Sequence, residues 1–499
     1  MSRWVGVLAA IAFVFHEATA KLYGFFIDEI YFLACGQHLA WGYVDMPPLT
    51  AFQAWLTRHL FGDSAYSIRL FPALAAAGIV LLAGAIAREL GGGKFAQVLA
   101  AIVALLSPGY LAACSYLCMN SIEPLVWGGA ALVVIRIINT GNTRLWPWFG
   151  LLSGIGLLNK HTMLIFGFAV VVALLVTADR RLMFNRWFVL AGVIAFVIFV
   201  PNLLWEVQHG FPHIEMLRNI KRNGRDVQMN PIVFLAWDVL LTNPMAAPVW
   251  IAGLFSLLFG SLKRYRVIGL TWVVSLAVLL IANGRFYYLL PAFVMLIGAG
   301  GVVIERTTES RRWVRTAYGA AIVVVGLLLA PVAVPVLPPD LYFRYTELTH
   351  IQQPKFEHRR TTSMPQFFAD RFGWPEMTAT VARVYFSLPP DVRAKTGIFG
   401  NDYGQSGAID FYGPQYGLPK AIGGHLSNWY WGPRNYTGES LLVLGDDRET
   451  LEQKFEVVKP MAEIGHPYAM AQEHFTLFWV QKPRGFTLQS IWPRLKHFN

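Results

Sequence analysis

The sequence predicts a polytopic α-helical membrane protein carrying a soluble, extracytoplasmic α/β domain at its carboxyl-terminal end. Three observations predict it. The 499 residues are 55% hydrophobic and only 14% charged. Apolar runs recur at the length of about 20 residues that a helix needs to cross a bilayer core. Beyond Pro338 those runs stop, and charges, prolines and glycines mark about 160 residues of ordinary single-domain size. Much of the formal net charge of +11 falls in short loops between apolar runs, which reads as membrane topology and makes nucleic acid an unexpected partner.

Apolar windows place spans near 4–26, 67–88, 95–113, 121–138, 145–159, 162–178, 187–205, 231–258, 267–283, 287–304 and 316–337, about eleven in all. The fifth is short, and the eighth is interrupted by Asn243-Pro244 and Pro248, which predicts a kink. The opening residues imitate a signal peptide ending in Ala18-Thr19-Ala20, but apolar character continuing through Phe26 favours an uncleaved first span. Arg88 and Lys94, then Arg180, Arg181 and Arg186, then Lys263, Arg264 and Arg266, then Arg306, Arg311, Arg312 and Arg315 collect in alternate loops. Those loops are expected in the cytoplasm, with the amino terminus. The loop 27–66, the loop 206–230 and the carboxyl-terminal domain then face outward. The expected division is a transmembrane domain over 1–338, whose first outer loop 27–66 carries amphipathic helices, and an extracytoplasmic domain over 339–499. In that domain Thr396 to Phe399, Ser440 to Leu444 and Phe475 to Val480 read as strands, and Trp374 to Phe386 as a helix. The glycines between Gly417 and Gly424 lack the strand, turn and helix context of a nucleotide fingerprint. Cys35, Cys114 and Cys118 all lie in the membrane half, with no spacing suited to a zinc knuckle, so buried thiols are expected.

The stretch FFIDEIYFLACGQHLAWGYVDMPPLT, residues 25 to 50, places three acids at the outer end of the first span. Asp28 and Asp45 are candidate helix caps. Asp28 follows Phe25, Phe26 and Ile27 at the expected membrane boundary, where an ionisable group is costly unless paired or used. A carboxylate there can take a proton from an attacking hydroxyl or amine, with Glu29 left to hold a cation or orient the acceptor. Cations on the outer side are not explained by topology statistics: Arg58, Arg69, Lys160 and His161 in LLNKHTML, Arg285 in NGRFYY with Tyr288 beside it, and Arg218, Lys221, Arg222 and Arg225 in the loop 206–230. Such cations suit a phosphate or diphosphate leaving group; the competing reading is that each snorkels or pairs with a nearby acid, the group 218–225 reads best as a solvated face, and Lys160 and Arg285, short steps from apolar spans, are the better candidates. Asn120 and Glu123, before Pro124, read as a cap or as acceptor, sugar or metal contacts together with Asp45 and Tyr288. His209 and His213 are separated by Gly210 and Pro212, which removes a simple helical metal pair.

Taken in order, FIDEIYF, GYVDMPPL, SIRLFPAL, MNSIEPLVW, GIGLLNKHTML and GRFYYLLPA resemble the bacterial members of the protein O-mannosyltransferase and aminoarabinose transferase group. These are membrane glycosyltransferases of the GT-C fold, glycosyltransferase family 39. The resemblance covers roughly residues 1–300, and AIDFYGPQYGLP resembles carboxyl-terminal domains of bacterial relatives. It implies an inverting transferase that moves a hexose or pentose from a polyprenyl-phosphate carrier to an acceptor (glycan, lipid, lipopolysaccharide or protein) outside the bacterial cytoplasmic membrane. By the resemblance Asp28 matches the catalytic acid, Glu29 completes the pair, and Arg69 matches an arginine at the span entrance. The aminoarabinose transferases have a lysine before the paired prolines, where this chain has Met46. That departure counts against aminoarabinose and moves donor-phosphate binding to Lys160, Arg285, Arg69 and His161. No cofactor is required; a divalent metal is compatible, with Asp28, Glu29, Asp45 and Glu123 as oxygen donors. Two other classes compete: a lipid or sugar transporter, for which Asp238 and Asn243 in the kinked span are the one supporting feature, and a glycan-binding scaffold or sensor.

Overall fold

The computed structural model describes residues 1–224, 229–353 and 360–499; Arg225 lies outside the described residues. They form two compact units, one of residues 1–22, 60–205 and 229–353, the other of residues 23–59, 206–224 and 360–499. The sequence boundary at 338/339 is therefore not the division that compactness makes. The helix Pro339–Thr349 groups with the first unit, where the Tyr345 hydroxyl donates to the Leu328 carbonyl and the Gln353 amide to that of Val332. The loop residues 23–59 group with the carboxyl-terminal residues.

The first unit is helical. Among the described residues, six helices are long and apolar enough to cross a membrane: Leu70–Glu89, Met119–Thr140, Arg186–Gln208, Lys263–Ile281, Phe286–Thr307 and Arg312–Ala333. A seventh candidate is the pair Pro231–Leu241 and Pro244–Leu258, bent by 99° at the expected interruption. Asn243 makes the bend: its backbone is left-handed (φ +73°), its side chain caps the Met245 N–H, and its Nδ2 donates to the Ile322 carbonyl at 3.0 Å. That is a structural use of the residue on which a transporter reading leaned. Every expected apolar window holds a helix, but several are shorter than a full span. The first runs only Arg3–Thr19, since Tyr23 and Gly24 take positive φ values that no helix continues through. The third breaks at Ser107-Pro108 into Lys94–Leu105 and Pro108–Ala113. The helix Phe293–Thr307 forms the core of this unit, buried at every residue from Phe293 to Val302. It is admitted by small residues: a Cβ on Gly300 would collide with the Val249 carbonyl, and one on Gly301 would lie 2.6 Å from that of Ala96.

The second unit is built on a four-stranded sheet of order β1-β2-β4-β3: β1 (Thr396–Gly400), β2 (Ser440–Leu444), β3 (Phe455–Ile464) and β4 (Phe475–Pro483). β1 and β2 are parallel; β4 runs antiparallel to both β2 and β3. Three strands and the helix Trp374–Ser387 stand where the sequence places them. β3 was missed, because EVVKPMAEI has charges and Pro460 in its interior. The residues fit an edge strand: one face is open, the ladder partner is β4 alone, and a register shift lies between Pro460 and Ala462.

Two helices from the loop 23–59 complete the unit. Ile27–Gln37 packs on the helix Tyr403–Tyr412. A Cβ on Gly404 would lie 2.5 Å from Ile27 Cγ1, and one on Gly407 would lie 2.8 Å from Ile30 Cγ2 and 3.0 Å from the Ile30 carbonyl. The other face of Ile27–Gln37 meets Leu49–Phe61 through Gly36, whose Cβ would come within 3.1 Å of the Ala51 carbonyl. Leu49–Phe61 buries its small and polar residues Thr50, Ala51, Gln53, Ala54 and Thr57, and exposes Phe52, Leu60 and Phe61. That inverted pattern is the one expected of a helix lying on a bilayer surface. Cys35, Cys114 and Cys118 are buried free thiols.

Gly407→Leu tests the close approach. The helix itself would gain from losing glycine, but the Ile30 backbone cannot yield, so the variant is expected to lose about 1–3 kcal/mol of stability. Scanning fluorimetry of the full chain reads this as a lowered apparent melting temperature; an unchanged value would show that the contact is not limiting.

Candidate functional site

The second unit gathers the acids. Glu29, 0% exposed, lies in the first turn of Ile27–Gln37 and accepts the Phe26 N–H at 2.8 Å. Glu29, not Asp28, therefore supplies the capping carboxylate of this helix. Asp28 is half-buried and accepts the Tyr403 hydroxyl at 2.8 Å. The Tyr403 ring packs at 5.2 Å from that of Tyr31, whose hydroxyl reaches Asp45 Oδ1 at 3.0 Å and Ser427 Oγ at 2.8 Å. Ser427 in turn accepts the Val44 N–H, so the two acids and two tyrosines form one connected constellation. Burial, and then the nearby charge of Asp28, raise the Asp45 carboxyl to about 7. Met46 is fully buried, and its carbonyl accepts the Tyr43 N–H.

The first unit gathers a lysine and its partners. Lys160 caps the carboxyl end of Trp146–Asn159, where the backbone turns extended, and its Nζ donates to Asn120 Oδ1 at 2.8 Å and Glu123 Oε2 at 3.1 Å. The ammonium lies 4.0 Å from the centre of the Tyr288 ring and 5.8 Å from that of Tyr287. Thr162 donates to the other Glu123 oxygen, and Arg285 donates to the Tyr287 hydroxyl at 3.1 Å. Asn120 and Glu123 thus turn toward Lys160 and do not cap Met119–Thr140, whose N-cap position shows no side-chain bond. The aromatic faces and the ion pair hold the ammonium in a place where solvent reaches little of it, 11% of the side chain being exposed.

Two sequence candidates are held elsewhere. His161 pairs with Asn202 at 3.0 Å, and buried Arg69 donates to the Ala20 carbonyl at 2.5 Å, beside the end of Arg3–Thr19. Such a contact satisfies a carbonyl freed at a helix end. Among the described residues no group of three His, Cys, Asp or Glu side chains could hold a metal ion. His209 packs against Tyr430, and His213 contacts the Val44 carbonyl at 3.3 Å. Tyr31, Tyr403 and Ser427 escaped the sequence reading. Tyr31 carries a local signal, being three residues from Asp28 on one helix face; Tyr403 and Ser427 come from 375 and 396 residues away and carry none.

The architecture is that of a multi-pass α-helical membrane protein with a small mixed-sheet domain, and its fold is shared with solved membrane-protein structures. The crystal structure of ArnT from Cupriavidus metallidurans bound to undecaprenyl phosphate superposes with a TM-score of 0.60 at 14% identity, over 96% of this chain and 98% of that one. The apo form of the same protein gives 0.59 at 16%, over 95% and 97%. Residues 45–205 match the sequence profile of the family described as dolichyl-phosphate-mannose-protein mannosyltransferase, in agreement with the family-39 resemblance of the motifs. Among curated proteins none matches the chain.

The Asp45 carboxyl gives a pH test. Between 3.8 and about 7 the folded chain holds a proton that the unfolded chain has lost, so this group makes stability fall as pH rises through that window. In Asp45→Asn the fall is absent. Apparent melting temperature of the wild type minus that of the variant should decline across the window; parallel profiles would refute the assignment.

Proposed function

We propose that the protein is an inverting glycosyltransferase that takes a hexosyl or pentosyl group from a polyprenyl-phosphate carrier, at the outer face of a bacterial cytoplasmic membrane, with its amino terminus inside. The observation that carries this reading is the likeness of fold, over nearly the whole of both chains, to a protein crystallised with undecaprenyl phosphate. In the reaction the acceptor oxygen attacks the anomeric carbon, its proton passes to Asp28, and the sugar–phosphate bond breaks with its electrons leaving on the lipid phosphate. Tyr403 orients the Asp28 carboxylate. Glu29 acts through the fold, as the cap that fixes the start of the helix carrying Asp28. Within the first unit, Lys160 and Arg285 are the cations suited to binding a carrier's phosphate, and Asn120, Glu123 and Tyr288 hold the ammonium in place. His161 and Arg69 support the surrounding helices. The acceptor is a glycan, lipid or protein outside the membrane.

Two substitutions separate the roles. Asp28→Asn should lower transfer by about 10²–10⁴-fold while native mass spectrometry still finds a polyprenyl phosphate on the gently extracted protein. Lys160→Gln should lose that lipid as well as activity. Wild-type turnover in a folded Asp28→Asn protein removes the general base; bulk phospholipid alone on the wild type, across several preparations, removes the carrier.

A further inference from the structure

The loop 206–230 contains a helix, Pro212–Arg222, that presents two faces of different chemistry. Pro212, Met216 and Ile220, four residues apart, are buried on one side. Asn219 donates to the Phe498 carbonyl at 2.8 Å, and Glu215 accepts Lys496 Nζ at 2.7 Å, which ties the helix to the carboxyl-terminal residues of the second unit. The opposite side is open. Ile214 is 43% and Leu217 51% exposed, and Arg218, Lys221 and Arg222 are exposed with them. At 3.6 residues per turn these five share one arc of the helix. No acid lies on that arc, and Glu215 at its margin is paired with Lys496.

Two observations set this face apart from the solvated one that its charges alone suggest. The first is the company the cations keep. Phe211, one turn before Ile214, is exposed and holds a left-handed backbone, φ +57°, a strained conformation for a bulky residue. Phe211, Ile214 and Leu217 follow one another at intervals of three, so the apolar residues form a stripe among the cations. Apolar residues and Lys or Arg together on an exposed helix are the composition of an element that lies in a membrane interface. The second is chain length. Pro212 comes four residues after Gln208, which ends a 23-residue helix apolar enough to cross a bilayer. Four residues reach at most about 14 Å, so the helix cannot start far from the headgroup layer.

We propose that Phe211 and the helix Pro212–Arg222 form a docking face for an anionic phospholipid surface. Phe211, Ile214 and Leu217 enter the acyl boundary, and Arg218, Lys221 and Arg222 meet the lipid headgroups. The face is independent of the transfer reaction. Cys35, Cys114 and Cys118 are buried, so a nitroxide label can be directed to Leu217→Cys in the otherwise unchanged full chain. The label is read by electron paramagnetic resonance in nanodiscs holding one copy each, through its collisions with oxygen, which concentrates in lipid, and with a nickel chelate, which stays in water. In discs containing phosphatidylglycerol the label should meet oxygen and be shielded from nickel. In phosphatidylcholine alone it should move toward water, and so should the label in Arg218→Gln/Lys221→Gln/Arg222→Gln with phosphatidylglycerol present. If the triple variant melts lower than the parent, the comparison of the two lipids on the parent decides. A label that meets nickel equally in both lipids marks a solvated face and overturns the proposal. Immersion that is the same in both lipids shows that the cations hold no anionic headgroup, and shielding from both probes shows a protein contact; either result also overturns it.

Discussion

The second unit depends on how closely one helix approaches another. Ile27–Gln37 lies against Tyr403–Tyr412 only because positions 404 and 407 lack a Cβ, and that distance brings the Tyr403 hydroxyl within a hydrogen bond of Asp28. Further contacts fix the start of the loop helix: Glu29 takes the Phe26 N–H, and the Asp370 carbonyl takes that of Ile27. An end so anchored leaves little freedom for the second residue of the helix, which is Asp28. Burying a carboxylate as a cap is costly unless its hydrogen bonds are made, and here the backbone supplies one. Rigidity around Asp28 is therefore built from residues that would not touch a substrate.

The first unit solves a different problem. Lipid offers little hydrophobic driving force between helices, so packing rests on close backbone contact, and the glycines at 253, 300 and 301 bring the buried helix Phe293–Thr307 against its neighbours. Polar groups are confined to few places. Lys160 is the clearest: its charge is met by one carboxylate, one amide oxygen and an aromatic face. A buried ion pair of this kind contributes little net stability, because desolvation offsets the attraction. Its retention in the membrane half makes better sense as positioning than as stabilisation.

What could be read from the sequence followed the range of the interactions involved. Apolar runs, the kink at Asn243-Pro244, the strands around Ile398, Leu442 and Leu477 and the acid at position 28 are local signals. The lysine on one side and the pair Asn120 and Glu123 on the other stand out separately in the sequence, and the structure joins them. β3 was hidden because an edge strand tolerates the proline and charges that argue against a strand in a sheet interior. The Tyr403 partnership and the grouping of loop residues 23–59 with the carboxyl-terminal residues were hidden for another reason. Both rest on pairing across more than 300 residues of chain, which leaves no periodic trace. For Glu29 the sequence offers no way to separate a cap from a catalytic acid, since both use a carboxylate; the Phe26 N–H that it accepts is a geometric fact seen only in the fold.

The helix Leu49–Phe61 carries one more consequence, which concerns how the sequence is free to drift. Its inward side is made of Ala51, Ala54 and Thr57, and a Cβ on Gly36 would lie 3.1 Å from the Ala51 carbonyl and 3.2 Å from Ala54 Cβ, tighter than an ordinary contact. Its outward side, Phe52, Leu60 and Phe61, is large and touches little protein. Tolerance to substitution is therefore reversed from that of a helix in a water-soluble domain. Shape is constrained on the side facing protein, where chemistry can be mildly polar, while on the outward side any bulky apolar residue serves and shape is irrelevant. A survey of substitutions scored by size alone would take the inward face for the surface and the outward face for the core.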